Sequence, residues 1–189
     1  MLIQKRVFQS AFAVSLFSIS VFASAASQTA IVPGGTVHFT GQIVNAACAV
    51  SADSTNQTVN MGQYRTAFFT AVGVRSNAVP FTIKLEDCDT KVSETAKTSF
   101  RGNSNQVDNT LLTVSNVGGG AAGAASGVGI EISDSSGTVL KPDGSVFSTP
   151  QKLNDGANTL HFTARYKSIS NKVTPGAADA DATFTMQYN

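Results

Sequence analysis

The sequence predicts an all-β sandwich, and three observations carry that expectation. Apolar and polar residues alternate with period two in five stretches. No segment of ten or more residues shows the apolar stripe of an amphipathic helix. Turn-forming clusters punctuate the alternation: Asp134-Ser135-Ser136-Gly137, Pro142-Asp143-Gly144, Asn154-Asp155-Gly156 and Pro175-Gly176. Short antiparallel strands with one apolar and one polar face bury the apolar faces by stacking two sheets.

In chain order, the first candidate strand is 36–44, with Val37, Phe39 and Ile43 at alternating positions. A weaker one follows at 58–61, and 64–74 has room for one short helical turn. Phe81, Ile83 and Leu85 alternate with Thr82, Lys84 and Glu86; weaker strands follow at 98–101 and 111–114. Val128, Ile130 and Ile132 alternate with Gly129, Glu131 and Ser133, and a weak candidate lies at 137–140. Leu160, Phe162, Ala164 and Tyr166 alternate with His161, Thr163 and Arg165. Phe184, Met186 and Tyr188 close the chain. No boundary of a second domain and no internal repeat is visible.

The chain has 189 residues, 13 Lys+Arg against 12 Asp+Glu, and a net charge of +1. That balance excludes a strongly basic nucleic-acid binder, which needs clustered cations against phosphate. Charged residues are 13% of the chain, about half the usual ~25%. There is no Trp, and Gly reaches 16.

The first 25 residues read as a secretory signal peptide: Lys5-Arg6, an apolar run from 7 to 22, then Ala23-Ser24-Ala25 before cleavage. The run is too short and too dotted with Ser to read as a membrane anchor. Cleavage removes two basic groups and no acid, leaving 164 residues with 11 basic against 12 acidic groups, a net −1. The product is expected to be exported, with no membrane span. Cys48 and Cys88 survive cleavage, and an even pair in an oxidising compartment reads as one disulfide. The alternatives are two free thiols or half a metal site, for which only His38 and His161 are at hand. A bridge spanning 40 residues is worth roughly 4 kcal/mol in the chain-entropy model.

Catalytic signatures fail in turn. Residues 118–123 match G-x-G-x-x-G, but no helix follows to receive a pyrophosphate, so the run reads as a loop. His38 and His161 occupy the polar phase of alternating stretches, as solvent-facing residues do. Asp87 and Asp89, and Asp179 and Asp181, lack the spacing of a calcium loop and read as solvated strand ends. Asn56-Gln57-Thr58 fits a glycosylation sequon, which has meaning only in a glycosylating host. The expectation is a protein that is not an enzyme and takes no cofactor or metal.

The two chain ends carry the specific signal. Ile31, Gly35, Val37 and Phe39 share one phase of an extended segment that Gly34-Gly35 weakens as an ordinary strand. Pattern alone leaves two readings for Val37 and Phe39: the first strand of their own domain, or a strand that pairs elsewhere. The other end is an alternating strand that runs almost to Asn189, and such ends aggregate unless something pairs with them.

On these residues the chain resembles the pilins of the chaperone–usher pathway, most nearly the major subunit of type 1 fimbriae. The blocks that carry the resemblance span nearly the whole precursor. They are Gly34-Gly35-Thr36-Val37-His38-Phe39-Thr40-Gly41, Val44-Asn45-Ala46-Ala47-Cys48-Ala49-Val50, Met61-Gly62-Gln63, and the run from Phe81 to Cys88. Phe162-Thr163-Ala164-Arg165-Tyr166 and the run from Thr174 through Gly176 and Phe184 to Tyr188 complete them. Singly these motifs are weak; in this order they are specific.

The resemblance implies an incomplete immunoglobulin-like sandwich, stapled by Cys48–Cys88 and completed in trans by a donor strand. It divides the chain into a signal peptide (1–25), a donor-strand extension (26–40) and a pilin domain (41–189). It implies a structural subunit of an extracellular fimbria that polymerises by donor-strand exchange and supports cell adhesion. Its partners would be neighbouring pilin subunits, a periplasmic chaperone and an outer-membrane usher, with no nucleic acid. Ile31, Gly35, Val37 and Phe39 become the donor row. Gly176, Phe184, Met186 and Tyr188 become the C-terminal strand taken by the chaperone. The alternative is a minor subunit (anchor, terminator or adaptor), and behind it a carbohydrate-binding adhesin. Two features depart from a simple donor strand: Pro33 cannot donate to a ladder, and Phe68-Phe69 reads equally as groove lining or as a subunit contact.

Overall fold

A computed structural model describes residues 30–116 and 123–189; the expected signal peptide, residues 26–29 and most of the glycine-rich run at 118–123 lie outside them. Residues Gln42–Asn189 form one compact unit, which carries all the regular structure found among the described residues. Its strands are β1 (Ala49–Val50), β2 (Val79–Cys88), β3 (Thr95–Gly102), β4 (Leu112–Thr113), β5 (Val128–Asp134), β6 (Gln151–Lys152), β7 (Gly156–Ser168) and β8 (Ala182–Tyr188). Among the described residues the helical content is one turn, α1 (Ala52–Thr55), and a 3-10 turn at Thr66–Phe68, inside the stretch where a helical turn was expected.

Five strands form one sheet in the order β1-β2-β7-β5-β4, three form the other in the order β6-β3-β8, and every strand pair is antiparallel. Period two places alternate residues on one face. From β2, Ile83 and Leu85 point inward and are fully buried; from β7, so do Leu160, Phe162, Ala164 and Tyr166. Val128, Ile130 and Ile132 of β5 extend that face, and Ala96, Thr98 and Phe100 of β3 meet it from the second sheet. Ring packing marks the seam: Phe100 stands edge-on to Phe162 at 5.3 Å between centroids, and Phe81 stacks on Phe162 at 5.5 Å.

The strands expected at 81–86, 98–101, 128–133, 160–166 and 184–188 are all present, most of them longer at both ends. Three expected strands are not. Residues 36–44 carry no strand, because no ladder among the described residues involves them and an extended segment becomes a strand only by pairing. Residues 58–61 keep the alternation, with Val59 and Met61 half-buried, but have no ladder either. Of 137–140 only Val139 bridges, to Ser133, while Leu140 is fully buried. The two-residue strands β1 and β6 and the single turn α1 are too short to leave a periodic trace. Strand β2 breaks register between Leu85 and Cys88, where Asp87 adopts φ 52°, a conformation that Asp tolerates better than most residues.

The polar face of β5 is not solvated as alternation suggests. Glu131 is only 1% exposed, because Arg75 and Arg165 close over it. Arg75 Nε and Arg165 Nε donate to Glu131 Oε1 at 3.0 and 2.8 Å, and Arg75 Nη2 donates to Oε2 at 3.1 Å. Burial alone would raise the Glu131 pKa; the hydrogen bonds from the two guanidinium groups outweigh it and hold the carboxyl below its ordinary value. Lys167 Nζ bridges onward to Asp108 at 2.8 Å. Strands β5 and β7, the 73–76 segment and the loop that carries Asp108 are thereby tied across their outer face.

Asp134, at the end of β5, organises the next turn. Its Oδ1 accepts from Ser136 N, Ser136 Oγ and Thr138 N at 2.7–2.9 Å, and Oδ2 accepts from Thr149 N at 2.8 Å. Burial works to raise its pKa, but these donors win and lower it from 3.8 to about 2. A pKa lower in the folded than in the unfolded chain stabilises the fold above the unfolded value, and that contribution is lost as pH falls from about 4 through about 2. Asp134→Asn leaves Thr149 N–H facing an amide donor and should cost about 1–3 kcal/mol at neutral pH. The gap in unfolding free energy between pH 5 and pH 2, read by circular dichroism in denaturant, should shrink in the variant. An unchanged gap would remove Asp134 from the acid response.

Candidate functional site

Strand β8 pairs with β3 along one edge, from Ala96↔Tyr188 to Gly102↔Ala182, and its other edge carries no ladder among the described residues. Its inward row, Phe184, Met186 and Tyr188, packs against the core yet stays half-buried, whereas the inward rows of β2, β5 and β7 are almost wholly buried. The difference is a groove of about 1050 Å³ between the two sheets. Its floor is core: Phe81, Phe100, Ile130, Ile132, Ala164 and Tyr166. Its rims are the 54–62 segment on one side and 178–184 on the other.

Each rim is set by identifiable contacts. Ser54 Oγ accepts from Lys84 N at 2.9 Å, and Gln57 Nε2 donates to Thr82 O at 3.1 Å, which lays the first rim along β2. Tyr166 Oη donates to Ala178 O at 2.9 Å and holds the second. Burial pushes the Tyr166 phenol pKa up, with the Asp179 carboxylate adding to it, so the hydroxyl remains a donor. At the far end Tyr188 Oη reaches Cys48 O at 3.4 Å, and Thr98 Oγ1 donates to Met186 Sδ at 3.2 Å.

Cys48 and Cys88 are bonded, with Cα atoms 4.1 Å apart, and the bridge pins the chain ahead of β1 to the end of β2. Phe184 lines the groove, and Met186 and Tyr188 continue its row. Gly176 lies before β8 at a crossing of two segments. Ala125 N donates to Ala177 O at 2.7 Å, and Ala177 N donates to Gly123 O at 3.0 Å. A Cβ on Gly176 would lie 2.5 Å from Ala124 C and Ala125 N and closer still to Gly123 O. Ile31, Val37 and Phe39 are 93%, 73% and 92% exposed, in a stretch without regular structure. Of the Phe68-Phe69 pair, Phe69 is buried and Phe68 is exposed, and neither lines the groove.

Sequence reasoning named the last strand but not the floor and rims of the groove. The floor residues carry the same alternation as any core residue, so nothing local marks the part of the core that lies uncovered. Of the other candidates, Asp179 and Asp181 lie on the second rim of the groove, and they, His161, Asp87 and Asp89 are all exposed. Among the described residues no three of His, Cys, Asp or Glu come together as a metal site. Among the described residues no helix is long and apolar enough to cross a membrane.

An immunoglobulin-like sandwich with one disulfide and an open groove beside its last strand defines a class of β-proteins that need an added strand. The family model described as "Fimbrial protein" matches residues 37–189, and the chain belongs to this family, the structural pilins of fimbriae on the cell surface. It is 52% identical over 175 residues to the fimbrial subunit type 1 of Salmonella typhimurium, covering 92% of this chain and 94% of that one. It is 47% identical over 174 residues to the type-1 fimbrial protein A chain of Escherichia coli K12, covering 92% and 93%. Among solved structures it resembles the P pilus rod subunit PapA, with TM-score 0.64, 28% identity, and 76% and 100% coverage. A subunit of a chaperone–usher pilus solved for its rod uncoiling matches with TM-score 0.65, 29% identity, and 85% and 100% coverage.

The close approach at Gly176 yields a stability test. Gly176→Ala must push the 123–125 backbone away from the chain leading into β8, and should destabilise the subunit by about 1–3 kcal/mol. Thermal melting of purified fimbriae checks this; a melting temperature equal to that of the parent would show that the crossing yields without cost.

Proposed function

We propose that this chain is the major rod subunit of its fimbria and polymerises by donor-strand exchange. The observation that carries the reading is the half-exposed row Phe184, Met186 and Tyr188 beside a core-lined groove and an unladdered strand edge. An added strand there supplies backbone hydrogen bonds to β8 for affinity and alternate side chains to the groove for register. Strand addition between chaperone and pilin is a known instance of this recognition mode.

The extension at 26–40 has the composition of that strand. Ile31, Gly35, Val37 and Phe39 lie on one face and span about 27 Å when extended, comparable to the length of β8 with its lead-in. Each large side chain that moves from water into the groove contributes roughly 1.5–3 kcal/mol. Gly35 suits a shallow part of the groove. Pairing begins after Pro33, which has no N–H to give. In the order proposed, a periplasmic chaperone first lends a strand beside β8. At the outer-membrane usher the extension of another copy replaces it. The subunit has no use for a catalytic group in either step.

Deleting residues 26–40 should leave a chain that co-purifies with its chaperone yet forms no fibres by electron microscopy. Fibres of normal length from the truncated chain would overturn the donor role. Deleting residues 184–189 should instead abolish chaperone capture and leave the subunit to be degraded. Recovery of a normal soluble complex would sink that assignment.

A further inference from the structure

We propose that the exposed apolar patch of Phe68 and Val72 seats the body of a second copy of this chain. The contact would fall at Ile43 and Val44, which follow that copy's extension. The inference rests on the donor-strand reading above and names a second contact that the exchange brings about.

Phe68 is 44% exposed and Val72 60%, with Ala67 and Ala71 exposed between and beside them. The patch is held in place rather than loose. Gly73 N donates to Ser168 O and Ser168 N to Val74 O, both at 2.9 Å, and Ser168 Oγ donates to Ala71 O. Phe69, buried beneath, stands edge-on to Phe68 at 5.3 Å. A rigid display of apolar side chains costs little further entropy when a partner covers it.

Its location selects the partner. Tyr166 lines the groove at the start of β8, where its hydroxyl holds Ala178. Tyr64 is edge-on to Tyr166 at 5.8 Å and lies 5.9 Å from Phe68, so two ring steps lead from the groove wall to the patch. Every strand pair in both sheets is antiparallel. A strand added to β8 in the same sense therefore leaves the groove by its C-terminal end at the start of β8, beside this patch. The five residue steps from Phe39 to Val44 reach about 16 Å when extended, enough to cover those two steps. Ile43 and Val44 are 103% and 57% exposed in their own subunit. An apolar pair without cover thus arrives beside an apolar patch without cover, on the same side of the same junction.

Cysteine cross-linking in assembled fibres of the full chain tests the contact. The pair Phe39→Cys with Phe184→Cys reports the donor strand in its groove; the pair Val44→Cys with Val72→Cys reports the proposed seat. Covalent ladders from both pairs on a non-reducing gel support the inference. A ladder from the groove pair alone overturns the seat and leaves donor-strand exchange standing; a ladder from neither overturns both. Because added cysteines can mispair with Cys48 or Cys88, Val72→Ser supplies a second measurement. Fibres of that variant should dissociate in denaturant several-fold faster than the parent, while Val107→Ser, at a site 75% exposed in the loop between β3 and β4, should not. Equal rates for the parent and Val72→Ser overturn the inference.

Discussion

The structure depends on one set of interactions not made among the described residues: a ladder along the outer edge of β8. Backbone N–H and C=O groups at a strand edge are strong hydrogen-bonding groups, and here they border an apolar floor. The two deficits coincide in space, since the strand that would satisfy the edge would also cover Phe81, Phe100 and Phe184. Neither deficit can be met by rearranging the sheets. Strand β3 already uses both its edges, on β6 and β8, and β2 and β7 are interior to the larger sheet. A strand added from outside along this edge would complete the sandwich.

For the groove to accept a strand it has to keep its shape without one. The rest of the unit supplies that stiffness. The Cys48–Cys88 bridge and the Tyr188 hydroxyl fasten the far end of β8 to the edge of the larger sheet. Arg75, Glu131 and Arg165 bind neighbouring strands across the outer face, and Asp134 locks the turn that follows β5. A buried carboxylate with two guanidinium partners is a costly way to gain stability, because desolvation consumes much of the Coulomb attraction. Its value here is geometric, for it fixes how β5, β7 and the 73–76 segment lie relative to one another. Charged residues make up only 13% of the chain, which limits repulsion between neighbouring copies.

Much of this was legible in the sequence because strand periodicity is local. The alternation through Ile83 and Leu85, Ile130 and Ile132, or Phe162 and Ala164 marks each inward face without knowledge of its neighbours. The disulfide was legible from an even count in an exported chain, and the last strand from its position at the end of the chain. The burial of Glu131 was not legible, since alternation reports which face a residue lies on and says nothing of what covers that face. The crossing that explains Gly176 was also out of reach, because the backbone at 123–125 lies more than fifty positions away.

By itself, then, the sequence determined the fold class, the inward rows, the paired cysteines and an amphipathic extension with Val37 and Phe39 in phase. It left open whether that extension was the first strand of its own sandwich, as the expected strand at 36–44 supposed. Tertiary structure decided that, among the described residues, no ladder forms there, that the outer edge of β8 carries none, and that a core-lined groove runs beside it. The physical reason is the range of the interactions. Which face of a strand is apolar follows from residues two apart, whereas whether a strand finds a partner depends on every other edge in the sheet.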